Sequence, residues 1–156
     1  MRRAVVVENI GRVSCICTDK TGTLTEGRLH LTHRRPVDGV GDERLLALAA
    51  IASRRETGDL MDVAILDVSP MTRDGVVATF PFTEDRRRET GIVRHEDALL
   101  AAVKGAPEVV LGLCELDAAG RARWTDEVAT LAGTGHKVIA VASRALPDPL
   151  PGTSGR

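Results

Sequence analysis

Apolar positions along the chain fall into short runs parted by charged or glycine-bearing segments. The run Val13-Ser14-Cys15-Ile16-Cys17-Thr18 predicts a short buried strand ending at Asp19. A loop containing Gly22 follows, from Lys20 to Thr25. Between Arg28 and Arg35, polar residues alternate with Leu29 and Leu31, which predicts a half-exposed strand. Pro36 to Gly41 is turn material. Asp42 stands where it can cap a helix over about Glu43 to Arg54, with Leu45, Leu46, Leu48, Ala49 and Ala52 on its apolar face. Gly58-Asp59 breaks that pattern, and a second short helix is expected over roughly Met61 to Val68, before Pro70.

The middle of the chain reads as strands. Val76–Phe80, Glu89–Arg94 and Ala98–Val103 are joined by short charged or turn segments. Such connections favour antiparallel pairing, because a parallel crossover needs about a dozen residues or more. Pro107 suits the first turn of a helix. Another helix is expected from about Thr125 to Leu131, ended by Gly133 and Gly135. Lys137 to Ser143 predicts a last strand, and Leu146 to Arg156, with three prolines and two glycines, a flexible tail. No internal repeat is present. The pattern implies an α+β fold, a mainly antiparallel sheet flanked by helices.

Composition narrows the function classes. A chain of 156 residues has room for one domain with a real core and not for two full ones. With 21 basic and 22 acidic residues it lacks the positive surface of a nucleic-acid binder. Phe80, Phe82 and Trp124 are its only rings of that kind, too few for stacking single strands, so no nucleic-acid partner is expected. The longest apolar run, Leu45 to Ala52, is too short to cross a bilayer. Cys15, Cys17 and Cys114 form no disulfide framework and suit a reducing compartment. Cys15 and Cys17 are expected as buried core thiols and not as a zinc site, which needs more ligands. The basic residues are 18 Arg and only three Lys, namely Lys20, Lys104 and Lys137. In so Arg-rich a chain, each Lys marks a place where a compact ammonium is needed.

The segment Asp19-Lys20-Thr21-Gly22-Thr23-Leu24-Thr25 carries the clearest chemistry. It places a carboxylate at the carboxyl end of a strand, where α/β folds put reactive groups. Such a carboxylate can attack a phosphoryl group and become an acyl phosphate. Lys20, the backbone at Gly22 and the threonine hydroxyls supply donors, and with Mg²⁺ they would carry the charge of the transferring oxygens. The plain alternative is a polar turn after a strand.

This string resembles the phosphorylation motif of P-type cation-transporting ATPases, members of the haloacid-dehalogenase-like superfamily. The resemblance continues through Val7-Glu8-Asn9-Ile10-Gly11, Pro81-Phe82-Thr83-Glu84-Asp85-Arg86-Arg87-Arg88, Lys104-Gly105-Ala106-Pro107-Glu108 and Lys137 to Arg144. It implies that residues 1–26 are one strand and loop of an incomplete haloacid-dehalogenase-like phosphorylation domain. Residues 27–145 would be the nucleotide-binding domain and 146–156 the tail. Asp19 matches the aspartate that becomes aspartyl phosphate. Lys20 and Thr21 match its phosphate and Mg²⁺ neighbours, Thr21 through its backbone carbonyl, so Asp19 and Thr21 are the implied metal ligands. Related phosphatases carry a second Asp as general acid/base where Thr21 stands; its lack slows water attack and lets an acyl phosphate persist.

The resemblance further implies that Phe82 stacks on adenine and that Arg87 contacts phosphate. Asp62 would lie near adenine, with Lys104 and Gly105 in the nucleotide pocket and Lys137 at its mouth. Each has a plainer reading: a core ring at Phe82, a helix-surface acid at Asp62, surface charges at the lysines. Glu89 departs from the family, which usually has an apolar residue there. Of the family's later phosphorylation-domain segments, Gly-Asp-Gly and Asn-Asp do not occur in this sequence, and its one Thr-Gly-Asp, Thr57-Gly58-Asp59, precedes the nucleotide motifs and does not follow them. The expectation is therefore an ATP- and Mg²⁺-dependent pump fragment at the cytoplasmic face of a membrane. Its partners would be the remaining phosphorylation, actuator and transmembrane domains. A stand-alone haloacid-dehalogenase-like phosphatase and a non-catalytic nucleotide-binding module are the alternatives.

Overall fold

The computed structural model describes residues 14–15, 17–19, 23–69, 75–95 and 98–147. Helix α1 (Asp42–Ile51) and a 3₁₀ turn (Arg55–Thr57) lead into α2 (Leu60–Val68). Strands β1 (Val76–Phe80), β2 (Arg88–His95) and β3 (Ala98–Gly105) follow, then α3 (Pro107–Leu113), α4 (Ala118–Gly133) and β4 (Ala140–Leu146). The strands form one antiparallel sheet in the order β1-β2-β3-β4, as the short connections imply.

Alternation along the strands decides what covers the sheet. Glu89, Gly91 and Val93 of β2 share a face with their β3 neighbours Lys104, Ala102 and Leu100. Helix α1 lies on that face, where Leu48 and Ile51 pack with Val93 and Ala102, flanked by Val76, Leu100 and Val141. Gly91 permits the contact. A Cβ at that position would overlap the Ile51 carbonyl oxygen.

Helix α1 is apolar on more than one side because α2 also packs against it. It starts one residue earlier than expected and stops at Ile51. Gly41, and not Asp42, holds the N-cap position, and the Asp42 carboxylate instead meets Arg34 at 3.5 Å. The early stop has a cause: Arg54 turns extended and donates its backbone N–H to the Asp62 carboxylate at 2.8 Å. Asp59 caps α2 by accepting from the N–H groups of Met61 and Asp62. Replacing it by alanine is expected to lower stability by about 1 kcal/mol, checked by thermal unfolding.

Other expectations are corrected. The last helix begins seven residues before Thr125, at Ala118, where the Asp117 side chain accepts from Gly120 N–H at 2.7 Å. None of its 16 residues is buried, so no apolar periodicity announces it. The last strand starts at Ala140 and not Lys137, because its first partner is Gly105, the end of β3. Leu146, expected in the tail, closes β4; residues 148–156 lie outside the described residues. No strand forms over Arg28–Arg35, since among the described residues no other strand pairs with it; Leu29 and Leu31 instead line a groove with Leu60, Val63, Ala64 and Val68 of α2. Cys15 and Cys17 are exposed, not buried thiols. Of the expected strand before Asp19, Val13 and Ile16 lie outside the described residues; the rest are exposed and in no strand. A buried strand of a parallel sheet needs neighbours, and no described strand pairs with this one.

Candidate functional site

One end of the sheet gathers most of the expected nucleotide residues. The loop from Pro81 to Arg87 leaves β1 and enters β2 there, and β3 passes through Ala106 into α3 at the same end. In register, Arg88 faces Gly105 and Glu89 faces Lys104. The two segments are docked closely. The Arg87 carbonyl accepts from Ala106 N–H at 3.0 Å, and a Cβ on Gly105 would overlap Arg87 and Arg88 backbone. Gly105 is thus the residue that lets the loop sit against the turn.

Arg87 has φ +48°, the left-handed region that non-glycine residues rarely adopt. Its N–H donates to the Thr83 carbonyl at 2.7 Å, which closes the loop, and its guanidinium donates to Glu108 at 2.7 Å. Both side chains of that pair are more than half exposed, so the pair contributes little to stability and can open to a ligand. Arg86 is tied within the loop, to Thr83 Oγ1 at 3.0 Å and the Pro81 carbonyl at 2.8 Å. Phe82, on the same loop, is 54% exposed and no core ring.

Beneath the loop lies a buried ionic cluster. The Lys104 ammonium donates to Asp62 Oδ1 at 2.5 Å and Glu89 Oε2 at 3.1 Å. Arg54 Nε donates to Glu89 Oε1 at 2.5 Å. Asp62 is 2% exposed, Glu89 4% and Lys104 7%, so Asp62 is not a helix-surface acid and Lys104 is not a surface charge. The Glu89 hydrogen bond holds the Arg54 guanidinium above its ordinary value, against the opposing effect of burial. Arg54 was invisible in the sequence, and Glu89 stood out only as a departure. The available signal was an acid on the strand face it shares with Gly91 and Val93.

The structure brings Asp62, Lys104 and Glu89 into direct contact, and Arg87 against the Gly105 turn. Asp19 is exposed on a separate segment, and Lys137 is exposed three residues before β4. Lys20 and Thr21 lie outside the described residues. Two surface grooves are lined by neither Phe82 nor Lys104. Among the described residues no group of three or more His, Cys, Asp or Glu side chains could hold a metal ion. Asp19 has the hard oxygen chemistry of a Mg²⁺ ligand, but alone it does not make a site.

The profile of the family described as "P-type ATPase, cytoplasmic domain N" matches residues 12–154. The chain belongs to this family. Plasma membrane ATPase 1 of Schizosaccharomyces pombe is 31% identical to this N domain chain over 159 residues, covering 92% of the chain and 17% of the relative. A protein of Methanocaldococcus jannaschii named as a cation-transporting ATPase is 30% identical over 149 residues, 91% of the chain and 18% of the relative. The magnesium-transporting ATPase, P-type 1, of Salmonella typhimurium is 30% identical over 161 residues, 90% of the chain and 18% of the relative. The N domain chain therefore spans less than a fifth of these relatives' length. Among its described residues no helix is long and apolar enough to cross a membrane.

Proposed function

We propose that this N domain binds ATP at the sheet end built by the Phe82 loop and the Lys104-Gly105 turn. In a longer cation-transporting pump it would present the γ-phosphoryl group to Asp19. The observation that carries the reading is the docking of the strained Arg87 loop onto Gly105 beside the buried Lys104. Backbone strain of that kind persists where surrounding structure enforces it, and binding sites are where it collects. Phe82 offers an exposed ring to a base, and Arg87 a guanidinium whose weak partner phosphate can displace. Asp62 has one oxygen on Lys104 and the other on Arg54 N–H, so it contributes through Lys104. Lys137 would act at the rim of the pocket.

In the transfer step an Asp19 carboxylate oxygen attacks the γ-phosphorus. The bond to the β,γ-bridging oxygen breaks, ADP leaves with that electron pair, and an aspartyl phosphate remains. Lys20 and Thr21 would neighbour the transferred group. The described side chains do not build a Mg²⁺ site. Released phosphorylation energy would bias the pump between conformations, on the cytoplasmic side of its membrane. This N domain chain alone is expected to bind ATP weakly and not to turn it over.

Titration with ATP, followed by amide NMR shifts, tests the reading. Shifts at Phe82 and Lys104 at millimolar ATP are expected, weakened by Phe82→Ala. No shift at either residue rejects it. Phosphate release above buffer, lost in Asp19→Asn, would overturn the expectation of an inactive chain.

A further inference from the structure

We propose that Glu89, locked by Arg54, is a specificity-determining residue of the nucleotide site. It cancels the charge that Lys104 would otherwise turn toward the phosphates, so that this end of the site reads the neutral base. The proposal rests on the nucleotide reading above and deepens it.

Two counts lead there. The first is of hydrogen bonds. An ammonium has three N–H donors. Lys104 gives one to Asp62 Oδ1 and one to Glu89 Oε2, which leaves one for a ligand. Both Asp62 oxygens are occupied, one by Lys104 and one by Arg54 N–H. Lys104 is therefore a fixed single donor, suited to a ring nitrogen or carbonyl of a base.

The second count is of charge. Asp62 and Glu89 are two carboxylates; Lys104 and Arg54 are two cations. The cluster is neutral as it stands. With an uncharged residue at 89, Lys104 would keep Asp62, Arg54 would lose its partner, and the cluster would carry one net positive charge. Burial makes that difference felt, since charges interact more strongly away from bulk water. A carboxylate on a sheet face shared with Gly91 and Val93 is also costly to install unless paired. Its presence there, already matched by Arg54, is what a site does to lower its attraction for phosphate. Anion recognition is left to the exposed guanidinium of Arg87.

Affinity for ATP and for adenosine, measured in parallel by calorimetry or NMR at low salt, tests this. ATP carries the phosphate charge and adenosine does not. In Glu89→Gln, ATP is expected to tighten by about tenfold relative to adenosine, because one negative charge is gone. In Arg54→Gln the ratio is expected to move the other way by a similar factor. Mere loosening of the fold weakens both ligands alike and leaves the ratio fixed. An unchanged ratio in whichever variant folds overturns the proposal while the nucleotide reading stands. If the unaltered protein binds neither ligand, the nucleotide reading falls first, and this one with it.

Discussion

Lys104→Met is expected to remove both ATP and adenosine binding and to cost about 3–5 kcal/mol of stability. The side chain is 8% exposed, and its ammonium stands between two carboxylates that are themselves 2% and 5% exposed. Methionine fills much of the same volume but leaves Asp62 and Glu89 buried with the Arg54 guanidinium and its backbone N–H as their partners. Breaking a buried pair from one side is far more costly than exchanging the whole pair for apolar groups, because a charge stays behind without compensation. The double variant Lys104→Met with Asp62→Asn should therefore recover part of the stability and none of the binding. Urea unfolding midpoints and a nucleotide titration separate the two effects. A stability loss below about 1 kcal/mol would show that solvent reaches the carboxylates and that the cluster is not sealed.

Gly91→Ala is expected to destabilise the domain by about 3 kcal/mol or more. The added Cβ overlaps the Ile51 carbonyl oxygen and carbon, which are backbone and cannot rotate aside. Ile51 is 2% exposed and is the last residue of α1. To admit the methyl group the helix must lift, and Leu48 and Ile51 then lose contact with Val93 and Ala102. Gly112, in α3, is the control, since nothing lies within 4 Å of a Cβ placed there. Alanine at that position should be neutral or stabilising, as a helix interior prefers alanine to glycine by about 1 kcal/mol. Equal melting temperatures for the two variants would contradict the packing of α1 on the sheet.

Much of this fold was legible because local signals agreed with the tertiary answer. Val76–Phe80 was read in full, and β2 and β3 to within two residues, because branched apolar runs end at turn segments and the connections are too short for crossovers. Pro107 marked the start of α3 for the same kind of local reason. The failures occurred where a distant partner decides. The alternation at Leu29 and Leu31 looked like a strand, but alternation needs a ladder, and these leucines line a groove with α2 instead. The start of β4 is set by the end of β3, which no window of sequence contains. Helix α4 has no buried residue, so only its second half, Thr125 to Leu131, was read, and the one mark of its start is the capping aspartate, Asp117. At the candidate site, the family motifs singled out Asp62, Phe82, Arg87 and Lys104, but not that Asp62 holds Lys104, nor that Arg54 completes the cluster. Arg54 lies 35 positions from Glu89, and pairing at that separation leaves no mark on the chain.

The strand order bears on how the domain assembles. Neighbours in the sheet are neighbours along the chain, and only two residues of sequence separate the end of β2 from the start of β3. That hairpin closes a small loop and sets Glu89 opposite Lys104 at little entropic expense. Arg54 and Asp62 come from a separate helical segment, so the other half of the cluster arrives only when α1 and α2 dock. The cluster is therefore complete, and closed to water, only with both helices seated on the hairpin. A hairpin formed ahead of the helices would carry that acid and amine unsealed and hydrated, which would guard an otherwise apolar sheet face against premature association.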